Sequence, residues 1–204
     1  MAHRYRRRRK RIRPDDEACQ GKGTLIFIDG SYLFHLRRIL DMNPFRWNEF
    51  YRLLTCEISA GAWTKAYYVA PRRFLQRNRR LFTDAGFHAI SIPMRNAEDD
   101  DRFIRKRIEY LRTDEIAEII LVGTDGGYAS SLIQKYEEGI EIVIVGTNVP
   151  DPESGNSPFS TRLWYPGFRI VEVAGYAARL TYGTHCSGEV PEWCVEVAAR
   201  RSQD

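Results

Sequence analysis

Acidic residues follow three separate strand-like segments of this sequence. Asp29 closes the apolar run TLIFID, the acids of EDDD (98–101) follow the run FHAISI, and Asp125 follows EIILVG. If these runs are parallel strands joined by right-handed crossovers, residues just past their ends meet at one edge of the sheet. We therefore expect these acids to converge in space although they are far apart in the chain.

Carboxylates gathered without basic partners repel one another. This repulsion raises their proton affinity unless a hard cation lies among them, and Mg²⁺ or Mn²⁺ is the cation that suits such ligands. A cation held there can activate water and stabilise the charge that builds on a phosphate under attack. The acids therefore favour a metal site suited to phosphodiester hydrolysis.

Each acid also has a local explanation. Asp29 and Asp125 precede predicted helices and can cap their first N–H groups, while Asp99, Asp100 and Asp101 occupy a first helical turn, where the helix dipole favours acids. Taken singly, each acid is better explained in this way. Their joint placement after three strands favours the metal site instead.

Short β-rich runs alternate with helical patterns along most of the chain. This alternation predicts an α/β protein, a three-layer α/β/α sandwich on a mostly parallel sheet of five or six strands. The predicted strands are 24–29, 66–70, 87–92, 118–123 and 141–146, with 168–175 as a candidate sixth. The predicted helices are 31–42, 46–58, 72–85, 99–113 and 127–138.

The 204-residue chain, 43% apolar, is long enough to bury a core, but its charge is unevenly placed. Residues 1–13 hold eight of the 31 Lys and Arg and no acid, which leaves 23 basic against 27 acidic residues in 14–204. We predict residues 1–22 to be a basic disordered tail able to bind a polyanion, with a merely solvated leader as the alternative. The sequence predicts no definite structure for an extension at 176–204.

Several classes of protein are disfavoured by what the sequence lacks. No run of 18 apolar residues is present, and the basic start has no apolar core behind it, so we expect a soluble, cytoplasmic protein without a membrane partner. Cys19, Cys56, Cys186 and Cys194 form no disulfide framework, and with His185 they lack the paired spacing of a zinc site. The glycines of GKGTLIF precede the first strand and no GxGxxG follows it, which disfavours a dinucleotide site.

In this order, the residues resemble the NYN domain, a LabA-like branch of the PIN-like ribonuclease superfamily. The segment IFIDGSYLFH matches the family's first-strand motif at Asp29, and Asp100 matches its helix-initial acid, with Asp101 one step away. The segment IILVGTDGGYASSLI matches the fourth-strand Ser-Gly-Asp-x-Asp-Phe motif at Asp125. The likeness covers residues 23–147 and extends more weakly to 175, so 23–175 is the predicted nuclease domain.

The resemblance implies a PIN-like sandwich and metal-dependent cleavage of RNA. It implies Asp29, Asp100 and Asp125 as ligands of Mg²⁺ or Mn²⁺, and Asp101 as a further catalytic acid. The residues expected at the edge of this site are Ser31, Tyr32 and Thr124.

Three positions depart from the family pattern. Tyr32 stands in place of Asn, Gly127 in place of the second acid of the fourth-strand motif, and Lys106 where LabA-like relatives often carry an acid. Because a metal site needs negative charge, a catalytically inactive RNA-binding module is the alternative function.

An acidic edge repels a nucleic-acid backbone, so a nuclease needs basic surface around it. Residues 72–112 supply eleven Lys and Arg against six acids. The residues predicted to bind nucleic acid are Arg72, Arg73, Arg95, Arg102, Arg105 and Lys106. Tyr32, Tyr67, Tyr68 and Tyr128 are candidates for stacking on unpaired bases, but Tyr67 and Tyr68 are neighbours in a predicted strand, so at least one of them must be core. Single-stranded RNA is the predicted partner. The sequence leaves open whether the chain forms a homo-oligomer.

Overall fold

The computed structural model describes residues 21–93 and 99–182. Within these residues six strands form one sheet in which every pairing is parallel, in the order β3-β2-β1-β4-β5-β6. The strands are β1 (Gly23–Asp29), β2 (Thr64–Pro71), β3 (His88–Ile92), β4 (Ile116–Val122), β5 (Glu141–Gly146) and β6 (Arg169–Glu172). The predicted strands are confirmed, the sixth over a shorter range.

The helices follow the predicted order with adjusted ends. They are α1 (Gly30–Ile39), α2 (Trp47–Arg52), α3 (Arg72–Asp84), α4 (Asp99–Glu109), α5 (Ala129–Glu137) and α6 (Ala177–Tyr182). The helix predicted at 46–58 is α2 continued by a π-helical segment, Leu53–Ile58. The helix predicted at 31–42 ends earlier, and Asp41 just beyond it adopts a left-handed φ of 47°.

Two apolar cores lie on opposite faces of the sheet, because successive strand residues point to opposite sides. In β1, Ile26 and Ile28 pack with residues of α1, α2, α3 and α6, whereas Leu25 and Phe27 pack with residues of α4 and α5. The predicted three-layer α/β/α architecture is therefore confirmed.

The strand order places a topological switch point between β1 and β4. The chain moves from β1 through β2 to β3 on one side and returns to β4 on the other. In open parallel sheets of this kind, ligands bind in the crevice outside the carboxyl ends of the strands at the switch point. Asp29, the last residue of β1, lies at this crevice.

The start of α1 packs tightly against the end of β2. A Cβ atom on Gly30 would lie 2.6 Å from the carbonyl oxygen of Val69 and 2.8 Å from the Cβ of Ala70. Only glycine fits this contact without a shift of the backbone. The close approach holds α1 over the same edge of the sheet.

The chain termini are described only in part. Of the extension predicted at 176–204, residues 177–182 form α6, and Leu180 is buried in the core. Residues 1–20 of the predicted basic tail, together with Cys19, His185, Cys186 and Cys194, lie outside the described residues. Cys56 is exposed and free. Across 21–93 and 99–182, no helix has both the length and the apolar character needed to cross a membrane.

Candidate active site

The structure brings the four predicted catalytic acids together at the switch point. They line one cleft of about 210 Å³ outside the carboxyl ends of β1 and β4. The lining residues are Asp29, Ser31, Tyr32, His35, Asp100, Asp101, Thr124, Asp125 and Pro158. Three elements position the acids: the end of β1, the first turn of α4 and the turn after β4.

Asp29 caps α1 and also contributes to the cleft. It is 4% exposed, and its Oδ1 accepts hydrogen bonds from the backbone N–H groups of Ser31 (2.9 Å) and Tyr32 (3.0 Å). Its Oδ2 accepts a hydrogen bond from the hydroxyl of Tyr128 at 3.2 Å. The capping explanation is therefore correct for one oxygen, and the second oxygen contacts Tyr128 within the cluster.

The first turn of α4 supplies two further carboxylates. Asp100 is buried, and its Oδ2 accepts a hydrogen bond from the Ser31 hydroxyl while its Oδ1 accepts one from the N–H of Asp101 at 3.2 Å. Asp101 is half-buried, and its Oδ1 accepts a hydrogen bond from the Tyr128 hydroxyl. Ser31 and Tyr128 thus fix the two carboxylates relative to Asp29.

Asp29 and Asp101 are close enough to share a proton. Burial raises the pKa of Asp29 from 3.8 to about 7, against the lowering effect of the Tyr32 N–H, and the charges of Asp101 and Asp100 raise it further. Burial also raises the pKa of Asp101, to which Asp29 hydrogen-bonds. Tyr128 has only one hydroxyl proton to donate to the carboxylates of Asp29 and Asp101. A second proton, held between these two carboxylates, would relieve the repulsion between them.

No basic side chain neutralises this cluster within the described parts of the chain. None of the ion pairs there includes Asp29, Asp100, Asp101 or Asp125. Among the described residues, therefore, no Lys or Arg offsets the mutual repulsion of these carboxylates, and burial together with this repulsion raises the pKa values of Asp29 and Asp101.

Asp125 is the exposed member of the cluster. Its Oδ1 accepts a hydrogen bond of 2.5 Å from the N–H of Gly127, so it caps the 3₁₀ turn Gly126–Tyr128. Its charge is one of the causes that raise the pKa of Asp101. Asp125 thus combines a capping role with a place at the cleft.

The acids are not arranged as a finished metal site. Among residues 21–93 and 99–182, no three His, Cys, Asp or Glu side chains are placed to hold a metal ion. The donor atoms are carboxylate oxygens, which Mg²⁺ and Mn²⁺ prefer. Asp101, however, bonds to Tyr128 and Asp125 bonds to Gly127. The donor chemistry fits a divalent cation, and two of the carboxylates are at present engaged by hydrogen-bond donors of the protein.

The predicted edge residues line the cleft, but their polar groups have local partners. The hydroxyl of Tyr32 accepts a hydrogen bond from the N–H of Thr147 at 3.1 Å, and burial raises its pKa. The hydroxyl of Thr124 donates to the carbonyl of Pro158 at 2.7 Å. These bonds attach the cleft to the end of β5 and to the loop that carries Pro158.

The predicted stacking role is wrong for Tyr68 and Tyr128, because both side chains are buried in the core. Tyr128 is 0% exposed, Tyr68 is buried, and Tyr67 stacks on Phe27 with ring centroids 5.6 Å apart. Tyr32 is half-buried and bonded to Thr147. The alternation of side chains along a strand correctly predicted that at least one of Tyr67 and Tyr68 belongs to the core. The spacing of apolar residues in the sequence could not show that the Tyr128 hydroxyl contacts Asp29 and Asp101.

His35 is a cleft residue that the sequence reasoning missed. It is exposed and lies one helical turn after Ser31 on α1. The i,i+4 spacing within the predicted helix 31–42 was the available indication, because residues at that spacing share a helix face.

The predicted nucleic-acid-binding residues lie at different distances from the cleft. Arg72 and Arg73 are exposed in the first turn of α3, and Arg102 is exposed near the start of α4. Arg105 and Lys106 come three and four residues after Arg102 in α4. At 1.5 Å per residue, they lie roughly 5–6 Å beyond Arg102 along the helix axis. Arg95 lies outside the described residues.

The cations of α3 and α4 have no acidic partner among the described residues. In the portion of the chain that is described, no ion pair involves Arg72, Arg73, Arg102, Arg105 or Lys106. By contrast, Arg38 pairs with Asp151 and Glu153, and Arg179 with Glu49 and Glu57. The helices beside the cleft therefore present unneutralised positive charge.

Comparisons with known proteins identify the fold and leave the function open. No protein-family model matches the sequence, and no curated protein matches it significantly. The structure is similar to the crystal structure of a protein of unknown function from Vibrio parahaemolyticus, with a TM-score of 0.55 and 16% identity over 78% of this chain and 98% of that chain. This likeness supports a Rossmann-like α/β/α sandwich.

Proposed function

We propose that the protein is a metal-dependent ribonuclease that hydrolyses phosphodiester bonds of single-stranded RNA at the switch-point cleft. The observation that carries the proposal is the convergence of Asp29, Asp100, Asp101 and Asp125 from three elements, with no basic partner among the described residues. The same acids carry the resemblance to NYN domains. Crevices at switch points are also where ligands of parallel sheets bind.

Asp29, Asp100 and Asp125 would hold Mg²⁺ or Mn²⁺. When bound, the cation supplies activation of water and neutralises charge on the phosphate. Protons and cations compete for the same carboxylates, so loading requires release of the proton that Asp29 and Asp101 share. It also requires Asp125 to turn from the N–H of Gly127.

The chain's own groups have separate tasks in the reaction. Ser31 and Tyr128 orient the carboxylates through the hydrogen bonds described above. Asp101 is the cleft acid outside this ligand set, and burial raises its pKa above the ordinary value, so it would serve as the group that accepts a proton during hydrolysis. Arg72, Arg73 and Arg102 offset the repulsion between the acids and the RNA backbone.

The test is cleavage of labelled single-stranded RNA with Mn²⁺ or Mg²⁺. We expect Asp29→Asn and Asp125→Asn to abolish cleavage, and Asp84→Asn, at an exposed position outside the cleft lining, to leave it unchanged. Full activity in both cleft variants would refute the site.

An RNA-binding module without catalysis is the second candidate. Two observations favour it: the cleft acids are not arranged as metal ligands, and the cations of α3 and α4 lack ion pairs in the described part of the structure. Tight RNA binding by the unmodified protein, without cleavage in either metal, would support this function and exclude the ribonuclease.

A further inference from the structure

A second pocket adjoins the acidic cleft. It has a volume of about 240 Å³ and is bounded mainly by apolar side chains. Its lining residues are Gly30, Ser31, Phe34, His35, Ala70, Pro71 and Phe74. Because Ser31 and His35 also line the acidic cleft, the two cavities are immediate neighbours. A ligand of more than one group could therefore occupy both.

One wall of this apolar pocket is an aromatic side chain that the core does not use. Phe34 is 59% exposed, although it belongs to α1, whose neighbouring Leu33 is fully buried. Its ring lies 6.0 Å from that of His35, edge to face. Phe34 therefore leaves much of its ring surface open beside the acids.

The rest of the apolar pocket is firmly held. Phe74 packs against the core, with its ring 5.9 Å from that of Phe82. Gly30 and Ala70 lie at the tight contact between α1 and β2. The volume is below the roughly 300–1,000 Å³ of pockets that take drug-sized ligands, so one planar ring system is the appropriate size.

Two exposed cations directly follow a residue of the pocket lining in the chain. Arg72 and Arg73 come directly after the lining residue Pro71, and both are exposed without an ion pair to any described residue. The occupant must therefore present a flat apolar face and carry negative charge beyond it. A nucleobase attached to a phosphate chain has both properties, whereas an apolar peptide side chain has only the first.

We propose that this apolar pocket binds one nucleobase of single-stranded RNA, stacked on Phe34. Arg72 and Arg73 contact the phosphate on one side of that nucleotide, and its other phosphate enters the acidic cleft. Every base has a π face, so the pocket requires a base and is tolerant of its identity. This inference rests on the proposed function, because it assigns the substrate's position in the same site.

The test is equilibrium binding, in EDTA, of short single-stranded RNAs with or without one abasic position. For the unmodified protein, an abasic residue at the critical position should raise Kd roughly 5- to 150-fold, the range expected for loss of one base–aromatic stack. Phe34→Ala should raise Kd for the complete RNA by a similar factor and remove the discrimination against the abasic RNA. Phe34→Trp should retain both properties.

Tyr110→Ala is the matched control, because Tyr110 is an exposed aromatic at the far end of α4. It should leave both affinities unchanged. Equal affinity of the unmodified protein for complete and abasic RNA, at every position, would show recognition of phosphates alone and overturn the inference. A change of oligomeric state in Phe34→Ala, with RNA affinity unchanged, would assign the pocket to a second copy of the chain and also overturn it.

Cleavage by the same variants separates this inference from the proposed function. Base-dependent binding through Phe34 without cleavage in Mn²⁺ would uphold the pocket and refute the ribonuclease. Cleavage with an unchanged KM in Phe34→Ala would refute the pocket and leave the ribonuclease. Absence of RNA binding by the unmodified protein would refute both.

Discussion

Replacing Asp29 with Asn should stabilise the protein at pH 8 in the absence of divalent cations. In the folded state, Asp29 keeps its proton up to about pH 7, whereas an ordinary Asp loses it near 3.8. Between these values the folded state binds more protons than the unfolded state, so the free energy of unfolding falls as pH rises. The Asn side chain does not ionise, so the free energy of unfolding of the variant does not fall with pH for this reason.

The size of the effect follows from the two pKa values. A shift from 3.8 to about 7, at 1.36 kcal/mol for each pH unit, corresponds to at most about 4 kcal/mol. The cap of α1 adds little to the difference, because Asn and Asp are equally good N-caps. The two proteins should therefore have similar stability at pH 4 and differ by up to about 4 kcal/mol at pH 8.

The assay is urea unfolding from pH 4 to pH 8 in EDTA, with Asp84→Asn as the control for loss of an exposed carboxylate. Groups far from Asp29 titrate in the same way in both proteins, so their contribution cancels in the difference between the two free energies of unfolding. Mn²⁺ at 100 times its Kd should restore about 2.7 kcal/mol to the unmodified protein at pH 8, and much less to Asp29→Asn. Parallel pH profiles for the two proteins would refute the assignment of a buried, shared proton.

Three further predictions concern neighbouring residues. Ser31→Ala should lower the free energy of unfolding, measured in urea, by about 1–3 kcal/mol, because the buried Asp100 loses its hydroxyl donor. The control Ser130→Ala, at an exposed position, should leave the free energy of unfolding almost unchanged. Gly127→Asp should lower the Kd for Mn²⁺, measured by calorimetry, because it adds a carboxylate beside Asp125. If the neutral Gly127→Asn lowered the Kd equally, the added charge would not be the cause. Removing Arg72 and Arg73 together should reduce the salt slope of RNA binding by about 0.7, because both contact one phosphate, whereas Arg38→Ala, which breaks two existing ion pairs, should leave it unchanged.

Much of the fold could be predicted because burial leaves a clear pattern in the sequence. Strands β4 and β5 are nearly continuous apolar runs, as interior parallel strands covered on both faces must be. The acids at strand ends could be placed together because parallel crossovers bring those ends to one edge. The exact helix ends were less predictable, since Asp41 and the π-helical segment 53–58 depend on tertiary packing.

The internal contacts of the candidate site could not be predicted in the same way. Periodicity indicates which face of a helix is buried, but not which atom a polar group contacts. It therefore gave no indication that Tyr128 donates to Asp29 and Asp101, or that Phe34 remains exposed beside the acids. These contacts depend on how three separate elements meet.

Calorimetric titration with Mn²⁺ tests most directly whether a cation takes the place of the proton shared by Asp29 and Asp101. Titrations at about pH 6 in buffers with different ionisation enthalpies should show Mn²⁺ binding with release of up to about one proton, and Asp29→Asn should greatly weaken binding. Absence of Mn²⁺ binding, or binding of equal strength in Asp29→Asn without proton release, would contradict a divalent-cation site in this cleft.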